Sequence, residues 1–260
     1  MKIAVTGKGG VGKTTLASVL SHLFAVDGKK VISVDADPDA NLASALGISR
    51  EEAEKIRPIA DLSDLIEERT GAKPGSMGGV FKINPKVDDL PEHVGFPVNG
   101  ITLLVMGKSK AASSGCYCPE NIFLRRLLKH LVIERNEVVI VDMEAGIEHL
   151  TRGTTDAVDA FIVVVEPGQR SMLTAETVRD LAQQLGIRRV FVVANKVRNA
   201  EDLAFIQKGI QNMEFLGHIS YDNAVTEADI KGVAPFRYSP KTVEEIKTIK
   251  TELEKILYAG

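Results

Sequence analysis

Residues 2–24 read KIAVTGKGGVGKTTLASVLSHLF, and three segments within them decide the fold. Ile3 to Thr6 is a short, β-branched apolar run of the kind that makes a strand buried on both faces. Leu16 to Phe24 carries apolar residues at spacings of three and four, as a helix does. Between them GKGGVGKTT, Gly7 to Thr15, fits G-x-x-x-x-G-K-[ST]. The glycines let the backbone curl so that successive N–H groups point at phosphate oxygens, and the helix start adds its positive dipole end. Gly9, Gly10, Val11, Gly12, Lys13, Thr14 and Thr15 are therefore the expected nucleotide-binding set. Lys13 is expected to reach the β- and γ-phosphates, and Thr14 to ligate Mg²⁺. ATP or ADP with Mg²⁺ is the implied ligand.

Working outward, the same strand signal recurs at Val31 to Val34, Ile101 to Met106, Val138 to Val141, Phe161 to Val165, Val190 to Ala194 and Phe215 to Ile219. Helical patterns fall at Ile122 to Val132, Thr174 to Leu185, Leu203 to Met213 and Val243 to Leu257. This alternation predicts an α/β P-loop fold: a mainly parallel, twisted sheet of about 7 strands with helices on both faces. The one long departure, Asp37 to Gly100, reads as an insertion of short helices and loops and holds the glycine-rich stretch Gly71 to Gly79. With no Pro/Ser-rich linker, a single domain over 1–260 is expected.

Of the 260 residues 44% are apolar, enough for a substantial core, and the formal charge of -3 gives no whole-protein basic field. No apolar run approaches the ~20 residues of a membrane span. A cytoplasmic protein that binds neither nucleic acid nor membrane is expected. The last helix, with four lysines balanced by four glutamates over Lys241 to Leu257, reads as docked on the domain. Two cysteines, Cys116 and Cys118, are too few for a secreted disulfide framework, and their i, i+2 spacing is strained for a bridge. They are free thiols, metal ligands, or both.

Two acidic segments follow predicted strand ends. VDADPDAN places Asp35 at the end of the second strand and Asp37 two residues on, within reach of the γ-phosphate edge. VVIVDMEAGIEH places Asp142 after four apolar residues, the position for a direct or indirect Mg²⁺ contact. Capping of loops and helices is the other reading of these acids. Asn195 ends the strand VFVVAN, where its amide can pair with both edges of a purine or cap a helix.

KGGVGKTT resembles the deviant Walker A loop of the Mrp/MinD/ParA and nitrogenase iron protein class of ATPases. The resemblance implies that Lys8 crosses a dimer interface to the partner's nucleotide and stabilises charge there as an arginine finger does. It makes VDADPDAN switch I, with Asp37 guiding the attacking water, although Asn41 stands where the nitrogenase iron protein has aspartate. It makes Ala145 to His149 switch II, with Gly146 turning its N–H toward the γ-phosphate. It assigns Asn195 to adenine, and puts Pro167 and the loop Val233 to Pro240, with Pro235, over the base.

GCYCPENIFLRRLL, from Gly115, separates this chain from a generic partition ATPase. Pro119 suits the first position of a helix, making Cys118 its N-cap, where the dipole and Arg125 or Arg126 favour a thiolate. One C-x-C supplies two ligands, whereas a thiolate zinc site usually wants four. Two protomers about a two-fold axis would supply them, and Lys8 points to a dimer for an unrelated reason. An inert pair or a redox pair are the alternatives. KGGVGKTT, DADPDAN, DMEAGIEH and CYCPEN together resemble the CooC-type accessory ATPases of nickel carbon monoxide dehydrogenase. That resemblance implies a nucleotide- and metal-dependent homodimer, with Ni²⁺ or Zn²⁺ on Cys116 and Cys118 at the interface and carbon monoxide dehydrogenase as client. A ParA/MinD-like regulatory or positioning ATPase without a metal role is the alternative. An electron-transfer protein with an intersubunit iron–sulfur cluster ranks third, because that homodimer uses widely separated cysteines.

Overall fold

The computed structural model describes residues 1–37, 39–76, 81–107, 119–133, 136–145, 158–187, 189–210 and 212–258. The strands are β1 (Lys2–Gly7), β2 (Val31–Asp35), β3 (Phe96–Val98), β4 (Ile101–Val105), β5 (Val138–Asp142), β6 (Ala160–Val165), β7 (Val190–Val197) and β8 (Glu214–Ser220). The helices are α1 (Lys13–Val26), α2 (Leu42–Ala45), α3 (Arg50–Ala53), α4 (Ser63–Thr70), α5 (Leu90–Val94), α6 (Pro119–Ile133), α7 (Gln169–Leu185), α8 (Ala200–Gly209), α9 (Asn223–Ile230), α10 (Pro235–Tyr238) and α11 (Pro240–Tyr258). They form one α/β domain around a single sheet of order β3-β4-β2-β5-β1-β6-β7-β8, parallel except for β3.

The central strands β1, β2, β5 and β6 are buried at every position, which is why they are apolar without alternation. Their side chains nevertheless divide by pleat between two cores. Ile3, Val5, Ile140, Ile162 and Val164 face Leu16, Leu20 and Phe24 of α1 and Ile246, Ile249 and Leu253 of α11. Ala4, Val139, Val141, Phe161 and Val163 face Phe123, Leu127 and Leu131 of α6 and Met172, Ala175 and Val178 of α7. The helix α11 is further tied down by Lys250, whose ammonium lies 2.8 Å from both Asp27 and Glu254 and sits over the Phe24 ring. Among the described residues no helix is long and apolar enough to cross a membrane.

Among the described residues the sheet has eight strands rather than about seven. The missed strand, β3, is a three-residue antiparallel edge strand containing Pro97, too short to show a pattern. It is joined to β4 by Asn99–Gly100, both at positive φ (49° and 78°), the Asn-Gly pair that a two-residue hairpin turn requires. Helix α8 stops at Gly209, short of the expected Met213, because Ile210 is already extended and glycine is a poor helix former. Between residues 37 and 100 lie α2 to α5, a 3₁₀ turn at Ile59–Asp61 and β3. Residues 77–79 of the glycine-rich stretch lie outside the described residues.

Leu253 is fully buried between α11 and the sheet. Leu253→Ala is expected to lower unfolding stability by about 2–4 kcal/mol, as a buried leucine truncation does, read as a lower urea midpoint at unchanged slope.

Candidate active site

Parallel pairing brings the ends of β1, β2 and β5 to one edge of the sheet. Asp35 and Asp142 are register partners, and Asp142 also pairs with Val5, two residues before the glycine loop begins. Sites in open α/β sheets form at this edge, beyond the carboxyl ends of the strands. Here it borders a cavity of about 780 Å³, lined among others by Lys8, Gly9, Gly10, Gly12, Lys13, Thr14, Thr15, Asp37, Asn195 and Pro235.

The loop's shape depends on glycine at two places. Gly12 caps α1 in the left-handed region (φ 97°), and a Cβ there would run into the Asn195 amide. At Gly7 (φ 149°) a Cβ would strike the Val164 carbonyl of the neighbouring strand. The first turn of α1 holds the two working side chains. Lys13 is buried, with its ammonium 3.4 Å from Asp37, so the lysine expected to meet phosphate is paired here with the carboxylate of the following loop. Thr14 donates its hydroxyl to Asp142 Oδ2 at 2.6 Å.

Asp142 is 1% exposed, and among the described residues its buried Oδ1 has no hydrogen-bond partner. Burial pushes its carboxyl up to about 6, against the opposing Thr14 hydrogen bond and the nearby Lys13 charge. An orphaned buried carboxylate oxygen beside a threonine hydroxyl is a hard-oxygen donor set suited to Mg²⁺. Asp35 is also fully buried and is pushed up to about 7 by burial, opposed by its hydrogen bond from Leu42 N–H. Its carboxylate accepts from Leu42 N–H at 2.9 Å and Asp37 N–H at 3.3 Å, drawing the 36–42 loop closed. The backbone adds Ala36 N–H to the Asp142 carbonyl at 2.8 Å, so this loop is anchored on both neighbouring strands.

Asn195 sits beneath the glycine loop rather than across open space. Its Nδ2 donates to the Val11 carbonyl at 2.7 Å and its Oδ1 accepts from Lys196 N–H at 2.8 Å, so both ends of the amide are engaged. Pro235 lines the same cavity, together with Tyr221 of the β8–α9 turn, Val225 of α9 and Val233 between α9 and α10. Lys8 also lines the cavity and, among the described residues, is in no ion pair. Cys116, Cys118, Gly146 and His149 lie outside the described residues, and α6 begins at Pro119. Sequence reasoning passed over Lys196 and Glu166, which the fold brings together at 2.9 Å beside the loop. It also passed over Asp35 as the anchor of the 36–42 loop, for which its place at a strand end was the available signal.

The family model of the CobQ/CobB/MinD/ParA nucleotide-binding domain matches residues 2–236, and the chain belongs to this family of nucleotide-binding ATPases. Within it the chain is 46% identical to the carbon monoxide dehydrogenase accessory protein CooC of Rhodospirillum rubrum over 240 residues, covering 92% of this chain and 91% of the relative. It is 49% identical over 258 residues to an uncharacterised ATP-binding protein of Methanocaldococcus jannaschii, covering 98% of each. Among solved structures it is similar to the septum site-determining protein MinD of Pyrococcus horikoshii complexed with Mg-ADP. There the TM-score is 0.67 at 19% identity, over 98% of this chain and 95% of that one, a likeness of fold.

The Asp142 shift has a definite sign. Its folded value near 6 stands above the ordinary 3.8, so the folded state holds the proton more tightly and ionisation opposes folding. This site's contribution is lost as pH rises through the interval from about 4 to 6. Asp142→Asn is expected to stabilise the nucleotide-free protein at pH 8 by on the order of 2 kcal/mol and to have little effect near pH 4. Urea titrations of both proteins at the two pH values would check it, and an equal effect at both would contradict it.

Proposed function

We propose that this chain is an ATP-hydrolysing dimeric switch that binds a nickel ion, or zinc in its place, between subunits and assists nickel insertion into carbon monoxide dehydrogenase. The observation that carries this reading is the 46% identity to CooC along nearly the whole chain. The pair Cys116 and Cys118 supports it from the sequence, since thiolates bind both metals.

In this reading Lys13 leaves Asp37 for the β- and γ-phosphates of arriving ATP, and the freed Asp37 orients the attacking water. The backbone N–H groups from Gly9 to Thr15 cradle the phosphates, while Asn195 and Pro235 lie toward the adenine end. Thr14 and Asp142 hold Mg²⁺, which when bound neutralises charge on the phosphate oxygens. Lys8 reaches the partner's nucleotide, so hydrolysis requires the dimer. The metal is cargo, held by Cys116 and Cys118 of both subunits, and nucleotide state moves it only if the two states differ in metal or client affinity.

Metal content after dialysis against nickel or zinc, with mass by light scattering with and without ATP, tests the reading. About one metal per two chains is expected, as a four-thiolate site shared by a dimer requires, with loss in Cys116→Ser or Cys118→Ser while the fold is kept. A nucleotide-dependent dimer without cysteine-dependent metal would replace this reading with a ParA/MinD-like positioning ATPase. Lys13→Ala is expected to abolish nucleotide binding, whereas Lys8→Ala should retain binding and lose ATP-driven dimerisation and hydrolysis. Equal loss of binding in both variants would show that Lys8 acts within its own subunit.

A further inference from the structure

Lys196 is held in a conformation that lysine seldom adopts. It lies in β7 at φ 56°, where the pairing of β7 with β8 is irregular between Ala194 and Val197. The left-handed region carries a steric cost for a side chain with a Cβ, so something must hold it there. The Lys196 ammonium donates to the Gly10 carbonyl at 2.6 Å and to Glu166 Oε2 at 2.9 Å. Glu166 follows β6, the strand adjacent to β1, and its own N–H donates to Ser171 Oγ at 3.0 Å. The preceding residue, Asn195, pins the next carbonyl of the loop, that of Val11. Two consecutive carbonyls of the glycine loop are thus held by two consecutive side chains of β7.

The consequence follows from peptide planarity. In a trans peptide the C=O and N–H point in opposite directions, so fixing a carbonyl fixes the direction of the N–H on the next residue. Holding the Gly10 oxygen aims the Val11 N–H, and holding the Val11 oxygen aims the Gly12 N–H. The Val11 N–H rests on the Lys8 carbonyl at 3.4 Å, a long contact that an anionic oxygen can displace. A carbonyl turned toward the cavity would instead repel the phosphates.

We propose that Lys196, steered by Glu166, is a positioning residue for the phosphate-binding loop, turning the Gly10 carbonyl outward so that the Val11 N–H faces the diphosphate of a bound nucleotide. The assignment rests on the reading of the cavity as a nucleotide site. Lys196 acts through the loop rather than by touching the reacting atoms.

The full-length protein, with Mg²⁺ and ADP as the probe, tests this by calorimetric titration of wild type, Lys196→Gly, Glu166→Gln, the double variant and Lys13→Ala. Glycine is at ease at φ 56°, so Lys196→Gly removes the ammonium while keeping the backbone, and its melting temperature should not fall. Its ADP affinity should drop about 10-fold, in line with loss of a charge-assisted hydrogen bond. Glu166→Gln should weaken ADP about 3-fold alone and add nothing in the Lys196→Gly background, because the carboxylate acts only through the lysine. Unchanged ADP affinity in Lys196→Gly, or losses that add in the double variant, would overturn the assignment. Full ADP affinity in Lys13→Ala would overturn the nucleotide-site reading instead, so the two failures are told apart.

Discussion

Two carboxylates, Asp35 and Asp142, end adjacent parallel strands level with each other and out of water. Burying such a pair is costly, and burial holds both carboxyls well above their ordinary range. The surrounding polar contacts answer that demand. Thr14 donates to one oxygen of Asp142, while two backbone N–H groups of the 36–42 loop converge on Asp35. Between these two carboxylates, the oxygen left over is Asp142 Oδ1, to which no described residue donates a hydrogen bond. A divalent cation with a phosphate ligand would complete this edge of the sheet, which makes the empty-handed Asp142 an energetic argument for nucleotide binding rather than a flaw in packing.

The glycine loop is held by a related economy of contacts. Its inner side meets β6 and β7 so closely that side chains at Gly7 and Gly12 would collide with Val164 and Asn195. Close approach lets Asn195 and Lys196 reach the loop carbonyls, and the carbonyls then dictate where the N–H groups point. Loop geometry is therefore set from a strand more than 180 residues away in sequence.

That distance explains what could be read in advance. The glycine loop, the central strands and Asp142 were legible because each is a local pattern: apolar runs buried on both faces, followed by residues that a phosphate or metal needs. Strand β3 was not, since three half-exposed residues including a proline carry no periodicity, although Asn99–Gly100 marked its turn. Asn195 was legible as a strand-end amide but not as a brace, because its partner Val11 O belongs to a segment brought near only by the fold. Lys196 and Glu166 form a pair for the same non-local reason. The Lys13–Asp37 ion pair joins two recognisable motifs in a way neither announces, because only the fold brings the two segments together.

The same ion pair suggests how a nucleotide signal leaves the site. In the proposed reading phosphate would compete with Asp37 for one ammonium, which would free Asp37 while Asp35 still holds Leu42. Asp35 also reaches toward the next strand: its carbonyl accepts from Met106 N–H at 2.9 Å, just beyond β4, and the Met106 carbonyl accepts from Ala60 N–H at 3.0 Å. Met106 and Gly107 are the last described residues before the stretch of sequence with Cys116 and Cys118, and α6 begins at Pro119. In a right-handed β4–α6–β5 crossover both of those flanking points belong to the carboxyl edge of the sheet, the edge that borders the nucleotide cavity. The residues after β2 and Met106, close before the stretch of sequence with the two cysteines, are thus joined through Asp35 by one backbone hydrogen bond.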